Sequence, residues 1–206
     1  MSEATVPSPP MDSLAALLIE FSYKRGTFTL ASGKQSDFYI DCKQTLLTPE
    51  GHCEVGWRCL RLIHKHFPEC RAVAGVEIGG CPMASAVSMA SWPCGGAAVE
   101  RLPLECLYVR KKAKDHGTTK MVEGGKRLRP GAKVVLLEDV LTTGESSRNA
   151  ILTLQDAGYA VIGCIALVDR MESGKPISVI ATLRGDVPVL SVFTRETLLA
   201  EGGVQP

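Results

Sequence analysis

A nearly unbroken apolar run that ends in two adjacent acids constrains the fold of this chain more than any other feature. The run, AKVVLLEDV, spans residues 132–140 and places Glu138 and Asp139 near its end. Continuous rather than alternating apolar residues are typical of strands that a parallel sheet buries on both faces. Burying two neighbouring carboxylates is costly unless a metal ion, a cation or hydroxyl donors compensate for the lost water. The run therefore predicts a buried strand that ends at a polar site.

Further strand-like segments alternate with helix-like segments on both sides of this run. Strands are predicted at 72–78, 105–110, 159–169, 177–183 and 187–193, and helices at 49–67, 82–92, 144–158 and 195–200. The alternation predicts an α/β fold, in which helices flank a mainly parallel central sheet. Ligands of such sheets bind beyond the carboxyl ends of the strands. The segments that follow those ends here are 77–82, 110–117, 138–146 and 169–170.

The N-terminal part is predicted to begin with a tail. Residues 1–11 are rich in Pro and Ser and are expected to be disordered, whereas residues 12–206 are expected to form a single domain. Asp12 or Ser13 can cap a first helix, which Gly26 is predicted to end. Two short strands are predicted to follow.

Charge and cysteine content argue against several classes of protein. The 23 Lys and Arg residues nearly balance the 22 Asp and Glu residues, which disfavours a general nucleic-acid or membrane-surface binder. We find no apolar run of membrane-spanning length and no signal-peptide pattern. None of the eight cysteines forms a C-x-x-C pair, so we expect reduced thiols in a cytoplasmic protein, without nucleic-acid or membrane partners. A metal site of Cys59, His64, His66 and Cys70 stays open as an alternative, although its spacing matches no zinc pattern.

The turn after the acid pair is suited to an anion. Residues 142–146, Thr-Thr-Gly-Glu-Ser, offer backbone N–H groups, hydroxyls and a helix N-terminus to a phosphate. Two acids that bind hydroxyls beside such a phosphate cradle predict a sugar phosphate as the ligand. The chain contains no P-loop, G-x-G-x-x-G, H-E-x-x-H or G-x-S-x-G motif, which argues against the common dinucleotide, zinc-protease and hydrolase classes.

A cluster of cations follows the strand predicted at 105–110. Eleven positions contain six basic side chains and one acid, Asp115; the basic ones are Arg110, Lys111, Lys112, Lys114, His116 and Lys120. In a nearly neutral chain, this local charge predicts a polyanionic ligand. Gly117 and two threonines follow, which is typical of a loop that can move without unravelling a helix.

Together these motifs resemble those of the type I phosphoribosyltransferases, and among them the orotate phosphoribosyltransferases. LLEDVLTTGESS is similar to the motif with which type I enzymes bind 5-phosphoribosyl 1-diphosphate (PRPP). The pattern Arg-Lys-x-x-Lys-x-His-Gly at 110–117 resembles the mobile catalytic loop of the orotate enzymes. FTLASGKQSDFYID resembles their orotate-holding segment around Ser32-Gly33, AGVEIGGCPMASAVS resembles their Gly-Gly-x-Pro loop and helix, and LVDR ends at Arg170, which matches an orotate-carboxylate contact. The resemblance covers nearly the whole chain from about residue 12.

The resemblance implies both a fold and a reaction. The fold would be that of the type I phosphoribosyltransferases, with a small N-terminal hood formed largely by about 12–45. Orotate and PRPP would give orotidine 5′-monophosphate and diphosphate in de novo pyrimidine biosynthesis. Mg²⁺ would be bound mainly through PRPP, near Glu138 and Asp139. The resemblance also implies a homodimer, in which the mobile loop 110–120 is shared across subunits.

The resemblance also assigns roles to individual residues. The catalytic residues would be Arg110, Lys111, Lys114, His116 and Asp139. PRPP would contact the same four basic residues and the run Glu138, Asp139, Val140, Leu141, Thr142, Thr143, Gly144, Glu145 and Ser146. Orotate would contact Tyr39, Ile40, Thr142 and Arg170. Lys112 and Lys120 are expected to be solvated.

Two departures from the family pattern concern lysines. The family often has Lys where this chain has Ala31, and many members have Tyr-Lys where this chain has Ile78-Gly79. Both departures remove a lysine that could contact phosphate. Lys34 and Lys43 are the candidates to replace it.

Two other functions stay open on the sequence alone. A non-catalytic, PRPP-sensing regulator that binds RNA would keep the acid pair and its turn but would not need the Lys/His loop. A phosphoribosyltransferase for another base would be expected to lack Arg170 and the Ser-Gly segment.

Overall fold

The computed structural model describes residues 12–29, 35–92, 103–111 and 120–204, and within them it confirms the α/β fold. The helices are α1 (Ser13–Leu17), which continues as a π-helical turn (Leu18–Ser22), α2 (Lys43–Leu46), α3 (Pro49–His66), α4 (Gly80–Ala90), α5 (Glu145–Asp156) and α6 (Arg195–Glu201). The strands are β1 (Tyr23–Thr29), β2 (Gln35–Ile40), β3 (Ala72–Val76), β4 (Glu105–Val109), β5 (Val122–Gly124), β6 (Lys133–Leu141), β7 (Ala160–Asp169), β8 (Val179–Thr182) and β9 (Gly185–Thr194).

The central sheet has seven strands in the order β5-β4-β3-β6-β7-β9-β8. The five middle strands run parallel, and one short antiparallel strand closes each edge. Along β6, Val135 and Leu137 belong to the core beneath α3 and α4, whereas Val134 and Leu136 belong to the core beneath α5. Both faces are therefore covered, which explains why the β6 sequence is continuously apolar.

The longest helix, α3, begins and ends where the sequence predicts. The Thr48 side chain accepts a hydrogen bond from the Gly51 N–H at 3.1 Å, and Pro49 occupies the first helical position. Proline is favoured there because its missing N–H would have no helical partner. The helix ends at His66, immediately before Phe67 and Pro68.

Parallel pairing brings the carboxyl ends of the middle strands to one edge of the sheet. Val76 of β3 pairs with Val109 of β4, and Leu141 of β6 pairs with Asp169 of β7. The segments that follow these four residues are those that the sequence predicts to bind ligand. The topology thus gathers them from distant parts of the chain.

The N-terminal part differs from expectation at Gly26. Gly26 was expected to end the first helix, but the helical residues end at Ser22 and Gly26 lies inside β1, so this prediction is wrong. β1 and β2 form a separate antiparallel hairpin whose register shifts between Arg25 and Phe28. At a φ of +152° the glycine allows this irregularity, which a residue with a side chain would make strained. The tail at 1–11 lies outside the described residues, and the domain boundaries stay a prediction.

Two elements were not expected from the sequence. The four-residue helix α2 follows β2 directly, and β5 pairs antiparallel with β4 at the edge of the sheet. Both are too short to show a clear periodic pattern.

The described cysteines are all free thiols, whereas Cys94 lies outside the described residues. Cys59 and Cys70 are buried, and burial raises the pKa of the Cys59 thiol to about 12. Within the described ranges, no group of three or more His, Cys, Asp or Glu side chains comes together as a metal site, so the cluster with His64 and His66 does not form. Nor does any described helix have the length and apolar character needed to cross a bilayer.

Candidate functional site

Glu138, the first of the two acids, is buried near the end of β6. Its side chain is 6% exposed, and its carboxylate accepts a hydrogen bond from the Ser147 hydroxyl at 2.8 Å. Burial raises the pKa of Glu138 to about 7, and the hydroxyl only partly opposes this shift. Because a carboxyl group with such a pKa is only partly ionised at neutral pH, its charge is sensitive to any ligand or cation bound beside it.

Asp139, the second acid, lies directly against Gly79. A β-carbon built on Gly79 would lie 2.0 Å from the Asp139 Oδ2 atom, so any side chain at this position would require the Asp139 carboxylate to shift. Burial raises the pKa of Asp139, while the positive charge of Lys43 opposes the shift. With Asp139 in this position, a lysine in place of Gly79 would displace the acid. Lys43 lies near enough to act on Asp139, whereas Lys34 and Ala31 lie outside the described residues.

The turn between β6 and α5 has the backbone conformation expected of an anion cradle. Gly144 is the residue before the helix and has a φ of +79°, in the left-handed region that glycine adopts without strain. There is room for a side chain at Gly144, because the nearest atom to a built β-carbon lies 3.8 Å away. Glycine is therefore required by the backbone conformation and not by crowding. Gly144 has no side chain with which to cap α5, and the Glu145 N–H makes only a long hydrogen bond of 3.5 Å to the Thr143 hydroxyl. The N-terminus of this helix is therefore suited to an anion.

The start of the basic segment, which we define as residues 110–120, lies beside this turn. A cavity of about 490 Å³ is lined by both, including Arg110, Lys111, Thr142, Thr143, Glu145 and Ser146. The structure therefore brings together residues more than thirty positions apart that the sequence assigns to one ligand. Val140 and the buried Leu141 contribute backbone rather than a reactive side chain. Lys114, His116 and Lys112 lie outside the described residues.

Both ends of the basic segment are attached to the sheet. The Arg110 N–H donates to the Met121 carbonyl at 2.9 Å, and the Arg110 guanidinium lies 3.4 Å from the Glu123 carboxylate. The Lys111 N–H donates to the Glu77 carboxylate at 3.1 Å. These contacts fix where the segment leaves β4 and where it returns to β5.

The residues predicted to bind orotate come from β2 and from the end of β7. Tyr39 is 41% exposed, whereas the Ile40 side chain is buried in the core, so only the Ile40 backbone is available to a ligand. Arg170 is 9% exposed. Its guanidinium donates to the Ser36 hydroxyl at 3.2 Å, and its Nε atom is buried without a hydrogen-bond partner in the described part of the chain. The same guanidinium lies 3.7 Å from the Glu172 carboxylate, and its unsatisfied Nε donor is suited to an anionic ligand.

Asp169 holds the segment that carries Arg170 in place. Its two carboxylate oxygens accept from the Met171 N–H at 2.8 Å and from the Ile177 N–H at 2.7 Å. The Arg170 N–H donates to the Leu141 carbonyl at 3.0 Å, which ties this segment to the end of β6.

Ser147 was missed from the sequence, whereas Glu77, Ser36 and Asp169 lie in segments that the sequence singles out. Ser147 lies in the buried face of α5, and a serine among apolar positions of a helix is the only signal that could have indicated it. Glu77, Ser36 and Asp169 act through contacts between segments far apart in the chain. No sequence pattern indicates such pairs.

Comparisons with known proteins agree with this geometry. The model of the phosphoribosyl transferase domain matches residues 59–185. The orotate phosphoribosyltransferase of Sorangium cellulosum is 47% identical over 190 residues, which cover 92% of this chain and 93% of that protein. The crystal structure of orotate phosphoribosyltransferase from Aeropyrum pernix is similar with a TM-score of 0.68 and 29% identity, covering 92% of this chain and 98% of that one.

A third similar protein was solved with a ligand. The orotate phosphoribosyltransferase of Mycobacterium tuberculosis H37Rv, in complex with PRPP, has a TM-score of 0.63 and 26% identity, and the match covers 93% of this chain and 97% of that one. The family model covers more than half of the chain, and the Sorangium protein is closely similar over almost all of it. This chain therefore belongs to the orotate phosphoribosyltransferase family.

Proposed function

We propose that the protein transfers the 5-phosphoribosyl group of PRPP to orotate, giving orotidine 5′-monophosphate and diphosphate in pyrimidine nucleotide biosynthesis. The observation that carries this proposal is the shared cavity of Arg110 and Lys111 with the turn from Thr142 to Ser146. The cavity of about 490 Å³ has cationic side chains on one side and the anion-binding turn on the other. This arrangement suits a ligand with phosphate groups at both ends.

Each part of PRPP has a matching group in the chain. The turn at 142–146 binds the 5-phosphate, and Glu138 and Asp139 accept hydrogen bonds from the ribose hydroxyls. Arg110 and Lys111, with Lys114 and His116 of the same basic segment, bind the diphosphate. The bond between the anomeric carbon and the diphosphate oxygen breaks while a ring nitrogen of orotate bonds to that carbon and loses its proton to solvent. The transition state has oxocarbenium-like character, as in glycoside cleavage.

The basic segment stabilises the charge that builds on the departing diphosphate. Two unit charges about 4 Å apart interact by roughly 1 kcal/mol in water and by about 4 kcal/mol at an effective dielectric constant near 20. Lysines that exclude water from the diphosphate are therefore far more effective than solvated ones. This difference favours a segment that closes over bound PRPP.

Mg²⁺ dependence is part of the proposal, because the donor set fits this ion. Glu138 and Asp139 offer carboxylate oxygens, which Mg²⁺ prefers, and it typically binds through one or two carboxylates together with substrate phosphates. The ion would neutralise charge on the diphosphate.

The nucleobase side of the proposal rests on Arg170. A guanidinium pairs with a carboxylate through two parallel hydrogen bonds, and orotate differs from uracil in carrying a carboxylate. Tyr39 and Thr142 complete the proposed orotate contacts.

A homodimer is proposed with an apolar surface as its support. Met89 and Trp92 of the α4 end are each 58% exposed, and Tyr108 of β4 is 38% exposed. These three side chains line a cavity of about 700 Å³ on the same surface. Exposed apolar surface of this kind is typical of protein interfaces. Mixing inactive Lys114→Ala and Asp139→Asn proteins should restore part of the activity if subunits share their basic segments, and no restoration despite confirmed subunit exchange would oppose sharing.

A cytoplasmic location is proposed as well. The seven described cysteines are free thiols, as is typical of proteins in a reducing compartment. Fractionation of cells with an antibody against the native protein tests this.

The assay that tests the main proposal measures base loss and nucleotide formation with PRPP and Mg²⁺. Orotate should be consumed and diphosphate released, with uracil, adenine and hypoxanthine as parallel substrates. Turnover of another base but not of orotate would replace the proposal by a different phosphoribosyltransferase. PRPP binding without turnover of any base would favour the non-catalytic regulator, and omission of Mg²⁺ in the same assay tests the metal.

A further inference from the structure

The Phe38 ring of β2 is a point where three parts of the chain meet. The ring is 4% exposed, and the central guanidinium carbons of Arg170 and Arg195 lie 4.6 Å and 4.1 Å from its centroid. Tyr23 of β1 stacks on it at 5.9 Å between centroids. A guanidinium packs favourably against an aromatic face. The hairpin of β1 and β2 is therefore held by two arginines, of which only Arg170 belongs to the site described above.

Arg195 is also attached to the hairpin by an ion pair. Its guanidinium donates to the Asp37 carboxylate at 2.8 Å, and Asp37 is the residue next to Phe38. Arg195 is the first residue of α6, whose start is secured by Thr194 and Thr197 through reciprocal hydrogen bonds. A positive charge in the first turn of a helix is unfavourable to the helix dipole, so the dipole gives no reason for an arginine at this position.

Arg170, which belongs to the candidate site, contacts the same short stretch of β2. It donates to the Ser36 hydroxyl at 3.2 Å, and that hydroxyl in turn donates to the Phe38 carbonyl at 2.8 Å. Phe38 thus connects the two arginines. Any movement of Ser36 or Phe38 would change where the Arg170 guanidinium rests.

We propose that Arg195 is a positioning residue for recognition of the substrate carboxylate. By fixing Asp37 and Phe38, Arg195 keeps the surface on which Arg170 rests in the orientation that binds orotate. The inference rests on the proposed orotate transfer. Arg195 acts through Arg170 and not on the reacting atoms, so it affects orotate binding but leaves the chemical step unchanged.

The test is a double-mutant cycle in steady-state kinetics. Arg195→Ala should raise KM for orotate about tenfold, which corresponds to about 1.4 kcal/mol, with kcat and KM for PRPP nearly unchanged. In a background of Arg170→Ala, the same substitution should have almost no further effect, because its route to the substrate is already removed. Full additivity, or an unchanged KM for Arg195→Ala, overturns the inference.

Two further variants separate positioning from loss of structure. Asp37→Asn, on an exposed side chain, should raise KM for orotate in the same direction but less. Arg184→Ala is the matched control, because Arg184 makes a similar ion pair with Asp156 at 2.6 Å on the turn between β8 and β9, and it should leave all kinetic constants unchanged. If Arg195→Ala lowers kcat, kcat/KM for orotate and kcat/KM for PRPP together, and also lowers Tm, the residue has a structural role and the inference is overturned.

Orotate turnover by the wild-type protein tests the proposed function separately from the positioning role. Wild-type protein that turns over orotate, together with an unaffected Arg195→Ala variant, rejects the positioning role alone. Wild-type protein without orotate turnover rejects the proposed function, and the positioning role with it.

Discussion

The end of β6 and the face of β2 are built in different ways, and they are proposed to bind different substrates, PRPP and orotate. At the end of β6, the bond from Ser147 to Glu138 spans nine positions. On β2, Arg170 and Arg195 reach residues 134 and 158 positions away. The two acids and their anion-binding turn lie in one continuous stretch of chain, whereas the contacts on β2 exist only once the whole sheet has formed. We therefore expect changes on the PRPP side to affect turnover, and changes on the orotate side to affect orotate KM.

The largest expected effect is on turnover. Lys114→Ala should lower kcat by about 10²–10³-fold, the usual effect of removing one group that stabilises transition-state charge. KM for orotate should change little, which rapid-quench and steady-state assays can show. Lys112→Ala is the control, since this neighbour is expected to be solvated. Equal activity of the Lys114→Ala variant and the wild type would remove this lysine from the chemistry.

The next effect tests the close contact between Gly79 and Asp139. Gly79→Ala should displace the acid by about 1 Å and lower kcat/KM for PRPP by roughly 100-fold, as a misplaced group of this kind does. Orotate binding should be nearly unaffected. Ile78→Ala changes the neighbouring side chain, which is 66% exposed, and should be almost silent. An active Gly79→Ala enzyme would mean that Asp139 can move without loss.

On the orotate side, Arg170→Ala should raise KM for orotate by roughly 10–100-fold, because hydrogen bonds to a charged group contribute about 1.5–3 kcal/mol. The kcat at saturating orotate should fall much less. Arg170→Lys should recover only part of the affinity, since an ammonium cannot pair in two parallel bonds. If only kcat fell, Arg170 would act in the chemical step, and the two regions would not differ in the way proposed.

The smallest effect concerns pH. Ser147→Ala removes the hydroxyl that lowers the pKa of Glu138, so this pKa should rise further above about 7. Because the ionised carboxylate accepts ribose hydroxyls better, kcat/KM for PRPP at pH 7 should fall about threefold and recover near pH 9. Thr182→Ala is the control, since that hydroxyl donates to the Gly185 carbonyl at the turn between β8 and β9. A pH profile identical to that of the wild type would show that Ser147 does not tune the acid.

The same contrast explains what the sequence could predict. The buried strand, its two acids and the glycine turn are local patterns, so β6, α5 and the turn between them follow from residues 132–158. The mainly parallel sheet follows from alternation of strands and helices, and the structure confirms it.

What the sequence could not predict depends on contacts between distant segments. Ser36 and Phe38 have no special pattern in β2, and their role arises because α6 and the end of β7 pack beside them. Gly26 was misassigned because a glycine is as suitable for an irregular strand as for the end of a helix. β5 was missed because three residues carry too little periodicity.

The bond between Arg110 and Met121 has a consequence for how such a protein can change. The chain leaves the sheet at Arg110 and returns to it at Met121, and these two residues are hydrogen-bonded neighbours. The structure of the sheet therefore does not depend on how many residues lie between them. Doubling the length of a flexible closed segment costs only about 0.6 kcal/mol in closure entropy. Insertions and deletions there would alter the reach of the basic side chains at almost no penalty to folding. Evolution or protein design could therefore replace this segment and change the chemistry of the site while the central sheet stays the same.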